Sequence, residues 1–242
     1  MPRIAFAIAL SLIGFTVAQA YEDRPPLVEQ YLHSGQLQAG EHALQAALRK
    51  NPKDDEARFG LGLLQIVRGV ERLGQSFYDH GLKSTNNWVP FVRLPVPTNP
   101  DPAPISYARF RRILDDFCKD MMQADATLAG ITDETVKLRV RLAGIKIDLD
   151  GDGQATDRFL DILTKLMGSP PDLLRSNPEF RVHFDRGDVA WFRTIVTCSA
   201  ACWSSISPSI QNPNSTSSPR SCFLESGRSC PNRKRSCFGT SR

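Results

Sequence analysis

Apolar residues recur at intervals of three or four positions through residues 21–86, and this spacing predicts amphipathic α-helices. A polar break after Ser34 and a proline at Pro52 mark the ends of the first two helices. Small residues such as Gly40 and Gly74 would let paired helices approach closely, while leucines fill the seam between them. We therefore predict helical hairpins over this region.

The spacing within these hairpins resembles the tetratricopeptide repeat. The first copy has the repeat's large and small positions at Leu27, Tyr31, Gly40, Leu44, Ala47 and Pro52. A shift by 34 residues, the length of that repeat, gives a degenerate second copy at Leu61, Gln65, Gly74, Tyr78, Gly81 and Asn86. The resemblance implies packed helix pairs that contact proteins or peptides. A generic helical hairpin is the alternative.

Prolines interrupt the helical pattern within residues 84–105, at Pro90, Pro95, Pro97, Pro100, Pro102 and Pro104. Each proline removes a backbone donor and restricts the residue before it, so helix is excluded here. The neighbouring side chains of Trp88, Phe91 and Leu94 are too apolar for a solvated linker. Residues 87–105 are therefore predicted to be an extended segment against the helices, with a binding face as the alternative.

A second helical block is predicted for residues 106–193. Ser106 is a suitable N-cap, and the residues behind it form an apolar stripe made of Phe110, Ile113, Leu114, Phe117, Met121 and Leu128. Cys118 on the same helix is predicted to be a buried thiol. From Asp133 to Ile147 the pattern alternates at first, as in a strand. A helix is nevertheless favoured there, because the later apolar residues fit one helical face and no partner strand is evident.

The composition changes at Thr194. Residues 194–242 contain 13 serines, five of the six cysteines, and six basic residues against one acidic residue. Just before this point, Val189, Trp191 and Phe192 are predicted to be buried by a helix that is capped by Asp185 or Asp188. Three interpretations of the tail stay open: a disulfide-linked module, a basic tail that contacts anionic polymers, or a shift of reading frame near codon 193. We predict an irregular tail and assign it no function.

Charge and the first residues bear on location and partners. Removing the tail's excess of five positive charges from the net +4 leaves about −1 for the rest, which argues against nucleic-acid binding. Residues 1–20 have a positive start, an apolar run and an A-x-A end, which predict a cleaved secretory signal peptide. The protein is therefore expected to be exported, with no stable membrane insertion after cleavage.

Residues 148–159 open with "DLDGDG", in which carboxylates alternate with other residues before a glycine. This spacing resembles the calcium loop of EF-hand proteins, including dockerin-like exported modules. The resemblance implies a helix on each side of the loop. It also implies oxygen ligands for Ca²⁺ from Asp148, Asp150, Asp152, the Gln154 carbonyl and Thr156.

The loop departs from the EF-hand pattern at its closing position. Phe159 occupies the place of the bidentate glutamate, and the sequence contains no second loop. Asp157 or Asp161 could supply the missing carboxylate. The expected affinity is in the weak, high-micromolar to millimolar range of extracellular modules, so bound calcium would be structural. The alternative is a polar turn in which Asp and Gly serve only the backbone.

No H-E-x-x-H, G-x-S-x-G, P-loop or dinucleotide motif occurs, so no enzyme class is indicated. The overall arrangement resembles exported bacterial proteins. Together these observations predict an all-α protein that acts as an exported scaffold with a weak structural calcium site. The alternative is an exported enzyme or substrate-binding protein whose site lies in a C-terminal part that is missing or out of frame here.

Overall fold

The computed structural model describes residues 24–82, 94–167, 177 and 179–209. Its helices are α1 (Leu27–Ser34), α2 (Leu37–Lys50), α3 (Asp55–Asp79), α4 (Tyr107–Ala129), α5 (Phe159–Met167) and α6 (Arg186–Ser209). Its strands are β1 (Leu138–Val140), β2 (Lys146–Ile147), β3 (Asp157–Arg158) and β4 (Val182–Phe184). Most described residues are helical, which confirms the predicted helical class at that level. The predicted signal peptide lies outside the described residues.

Helix α3 lies at the centre of the core. It begins at an Asp54 cap, whose side chain accepts the Ala57 N–H at 2.9 Å. Helix α4 packs against it in the antiparallel direction, with Leu128 close to Gly62 and Met121 close to Gly69. A Cβ at Gly62 would come within 2.5 Å of the Leu128 side chain, so glycine is what permits this approach.

Only the first of the two predicted hairpins forms. Helices α1 and α2 are joined through Gly35, whose φ of +71° requires the left-handed region. Gly40 then permits close packing, since a Cβ there would lie 2.6 Å from Leu64. The second copy is wrong as a hairpin, because α3 runs without a break for 25 residues. Gly69 and Gly74 lie inside that helix as contact points, where a glycine costs only about 1 kcal/mol.

The helix predicted for residues 133–147 is also wrong. Leu138 and Val140 are fully buried on strand β1, which pairs antiparallel with β4 so that Val140 lies opposite Val182. The early alternation was therefore a strand signal. Its partner follows some 40 positions later in the chain, beyond the range in which local spacing can reveal a pairing.

Helix α6 corrects the prediction of an irregular tail that begins at Thr194. It continues through Ser209 along α4, and its own residues Val189 and Val196 are buried. Phe192 contacts the Phe59 ring in an edge arrangement at 6.2 Å between centroids. Trp191 is 59% exposed, so its predicted burial is wrong. Residues 210–242 lie outside the described residues.

The part of the proline-rich segment that the structure describes contains no helix or strand. Leu94 is buried in the core, whereas Trp88 and Phe91 lie outside the described residues. Asn99 and Ala103 donate to the last carbonyls of α3, which satisfies groups that the helix end leaves without partners. Among the described helices, none is both long and apolar enough to cross a membrane.

Candidate metal centre

The acidic loop lies within a small β-hairpin. Strand β2 pairs antiparallel with β3, so that Ile147 lies opposite Asp157. The Phe159 N–H donates to the Ile145 carbonyl at 3.1 Å, and α5 begins at Phe159. The helix predicted before the loop is therefore wrong. Ile145, Ile147 and Leu149 are all fully buried, and this period of two gives a strand its buried face.

Three of the predicted ligands come together in this loop. Asp148, Asp150 and Asp152 each present a carboxylate oxygen, and these oxygens all lie within 4.8 Å of one another. Among the described residues they form the one group of three or more carboxylate, histidine or cysteine side chains close enough to hold a metal ion. Asp148 is the most enclosed of the three and Asp152 is exposed, so the cluster opens toward solvent.

The same carboxylates also organise the backbone of the loop. Asp148 accepts the Gly151 N–H at 2.7 Å and the Gly153 N–H at 3.0 Å, one on each oxygen. Asp152 accepts the Gln154 N–H at 2.7 Å. Gly151 and Gly153 have φ values of +75° and +85°, which favour glycine. Each carboxylate oxygen retains a further lone pair, so these bonds do not prevent cation binding.

Asp157, a further predicted ligand, lies outside the cluster of three carboxylates. Asp157 is at the base of the hairpin, where its carboxylate accepts the Leu149 N–H at 3.2 Å. Burial raises the pKa of Asp157, the Leu149 N–H lowers it, and the nearby loop carboxylates raise it further. Gln154 and Thr156 are exposed. Phe159, at the closing position, packs against the hydrophobic core and offers no ligand atom.

Sequence reasoning missed two residues of α3 that hold the loop. Glu71 accepts the Asp148 N–H at 3.1 Å, and Gln75 donates to the Asp148 carbonyl at 2.9 Å. Both lie on one face of α3, four positions apart. Between them Gly74 admits Leu149, because a Cβ at Gly74 would lie 2.5 Å from the Leu149 side chain. The signal was a glycine on a largely buried helix, with Glu71 three positions before it and Gln75 directly after it.

Glu71 is electrostatically coupled to the loop. Burial raises its pKa to about 7, and the negative charge of Asp148 acts in the same direction. The hydrogen bond from the Asp148 N–H and the Arg68 guanidinium oppose that rise. The Glu71 carboxyl is therefore a fourth carboxyl beside the three that cluster, and its protonation state changes near neutral pH.

Comparison of the chain with protein-family models, with curated proteins and with solved structures finds no match. The tetratricopeptide and EF-hand resemblances therefore stay predictions that rest on the residues alone. The alternative site, in a C-terminal part that is missing or out of frame here, lies outside the described residues and stays a prediction.

Proposed function

We propose that the protein is an exported helical scaffold that contacts proteins or peptides and carries a weak structural calcium site in residues 148–159. The observation that carries the calcium proposal is the convergence of the Asp148, Asp150 and Asp152 carboxylates. Calcium prefers oxygen ligands and tolerates irregular geometry, whereas magnesium demands a near-ideal octahedron and retains its water. Like charges so close together also repel, and a divalent cation offsets that repulsion.

The site is expected to be weak because its closing carboxylate is missing. Phe159 contributes no oxygen, and Asp157 lies outside the cluster of three carboxylates. Fewer charged ligands move the affinity of such loops toward the millimolar values of extracellular modules. Calcium at that affinity stays bound outside a cell, where it would stabilise the β2–β3 hairpin and its attachment to α3.

The scaffold role rests on the helical framework to which the loop is attached. Helix α3 contacts α2 and α4 and also holds the loop through Glu71 and Gln75. A cation in the loop would therefore stabilise the central helix of the protein as well as the hairpin. This is the behaviour expected of a structural calcium ion, which supports a surface for protein contacts and takes no part in chemistry.

Thermal unfolding of the full chain tests the proposal. Calcium at about ten times its dissociation constant should stabilise the native state by about 1.4 kcal/mol. Asp150→Asn and Asp152→Asn each keep an acceptor for the turn but remove a charge, so each variant should fold without calcium and lose most of the calcium response. Asp101→Ala, at an exposed aspartate far along the chain from the loop, is the matched control.

Two results would count against the site. If calcium stabilised the Asn variants as much as the parent chain, the calcium would bind outside this loop. No calcium response in a folded parent chain would leave the loop as a polar turn.

A further inference from the structure

A cleft of about 580 Å³ separates the segment before α1 from Glu56 on α3 and from Arg141. Its volume falls within the range of small-molecule sites in proteins. One wall is apolar and consists of Pro25, Pro26 and Leu27, and the Leu27 side chain is 42% exposed. The cleft shares no lining residue with the acidic loop.

The floor of the cleft is a polar network. Glu29 is only 3% exposed, and its carboxylate pairs with Arg181 at 3.1 Å and with Arg141 at 3.5 Å. Arg141 also pairs with Glu179. The charges of these four residues balance, but the buried Arg141 Nε has no hydrogen-bond partner among the described residues.

His33 completes the floor as a neutral side chain. Its Nε2 lies 3.0 Å from the Arg141 carbonyl, and its Nδ1 lies 3.2 Å from the Arg141 guanidinium. Because a carbonyl only accepts and a guanidinium only donates, the network assigns the proton to Nε2. His33 therefore adds no charge to the cleft.

The rim differs from the floor, because it presents two charges of opposite sign. Arg24 and Glu56 are both exposed and line the cleft, and neither makes an ion pair within the described residues. Desolvation by the surrounding protein raises the pKa of Glu56, as does Asp54, while Arg139 lowers it. A cation that entered the cleft would relieve this unfavourable environment of the carboxylate.

We propose that this cleft binds a free amino acid with an apolar side chain. The ligand's carboxylate pairs with Arg24 and its ammonium pairs with Glu56. Its side chain lies on the apolar wall at Leu27. The net charge of the cleft matches such a zwitterion, since Arg24 and Glu56 cancel and the floor is already balanced. The inference is independent of the calcium site.

Isothermal titration calorimetry of L-leucine into the full chain is the first test, followed by the other common L-amino acids. Saturable binding should weaken at least about tenfold in Arg24→Gln and in Glu56→Gln, the loss expected for one charged hydrogen bond. Isoamylamine lacks the carboxylate and 4-methylpentanoate lacks the ammonium, so each should bind at least about tenfold more weakly than L-leucine.

Two exposed residues outside the cleft provide matched controls. Arg112→Gln and Glu134→Gln remove the same charges and should bind L-leucine as the parent chain does. Circular dichroism should show all four variants folded. No saturable binding of any L-amino acid up to about 10 mM would overturn the proposal. Binding that is unchanged in both Arg24→Gln and Glu56→Gln would overturn it as well.

Discussion

Asp55 ties the first turn of α3 to the loop that follows α4. Its side chain is 6% exposed, and one oxygen accepts the Thr132 N–H at 2.7 Å, the Asp133 N–H at 2.8 Å and the Thr132 hydroxyl at 3.2 Å. The other oxygen accepts from Arg58 at 3.2 Å. Removing the carboxylate would leave both backbone donors without a partner.

We expect Asp55→Ala to lower the free energy of unfolding by about 3–4 kcal/mol. Hydrogen bonds to a charged group contribute about 1.5–3 kcal/mol each, but bonds that share one acceptor are not additive. Asp55→Asn keeps the shape and one acceptor oxygen, so its expected loss is about 1–2 kcal/mol. Urea denaturation measures both values, and Asp101→Ala should leave the unfolding midpoint unchanged.

The pH dependence of this loss has a defined sign. Burial is the largest single influence on the pKa of Asp55 and raises it, but the hydrogen bonds from Asp133, Thr132 and Arg58 together bring it below 3.8. A depressed pKa gives stability that is present above the unfolded value and disappears as pH falls through the folded value. The difference in the free energy of unfolding between the parent chain and Asp55→Asn should therefore be largest near neutral pH and shrink below pH 3.8. A loss under about 1 kcal/mol for Asp55→Ala would refute the reasoning.

Three further predictions concern the loop and α6. With a chelator present, the parent chain should lose stability as pH rises from 4.5 through about 7, because the raised pKa of Glu71 means that the fold favours its protonated form. Glu71→Gln should abolish this loss, which urea denaturation midpoints measured against pH would show. Gly74→Val should destabilise by about 1–3 kcal/mol through overlap with Leu149, in urea denaturation, and a neutral result would contradict the packing. Trp191→Ser should change the melting temperature little, whereas Val196→Asp should lower it strongly, because only Val196 is buried. Equal effects of the two substitutions would argue against a folded α6 beyond residue 194.

The helices could be predicted from the sequence because their signals are local. Ser106 caps α4 as expected, and the predicted stripe that includes Ile113 and Met121 is buried. The continuity of α3 could not be predicted in the same way. Glycines at Gly69 and Gly74 suit a turn as well as a close contact, and only the partners that pack on them distinguish the two.

The candidate site could be predicted only in part. The spacing of the three aspartates is local and was sufficient to bring Asp148, Asp150 and Asp152 together. The strand before the loop depends on the pairing of β2 with β3, and the contacts of Glu71 depend on how the hairpin lies against α3. Such long-range geometry leaves little trace in the spacing of one segment. Asp157 was predicted as a ligand from spacing alone, which could not show that its carboxylate also accepts the Leu149 N–H at the base of the hairpin.

Calorimetric titration of the full chain with Ca²⁺, at neutral pH and with Mg²⁺ as the comparison, tests the central claim most directly. The account predicts one saturable calcium site with a dissociation constant of about 0.1–1 mM and weaker binding of magnesium. It also predicts proton release on binding, seen as a dependence of the heat on the buffer, because calcium favours the ionised form of Glu71, whose pKa is about 7. A folded chain that takes up no calcium at about 10 mM would contradict it.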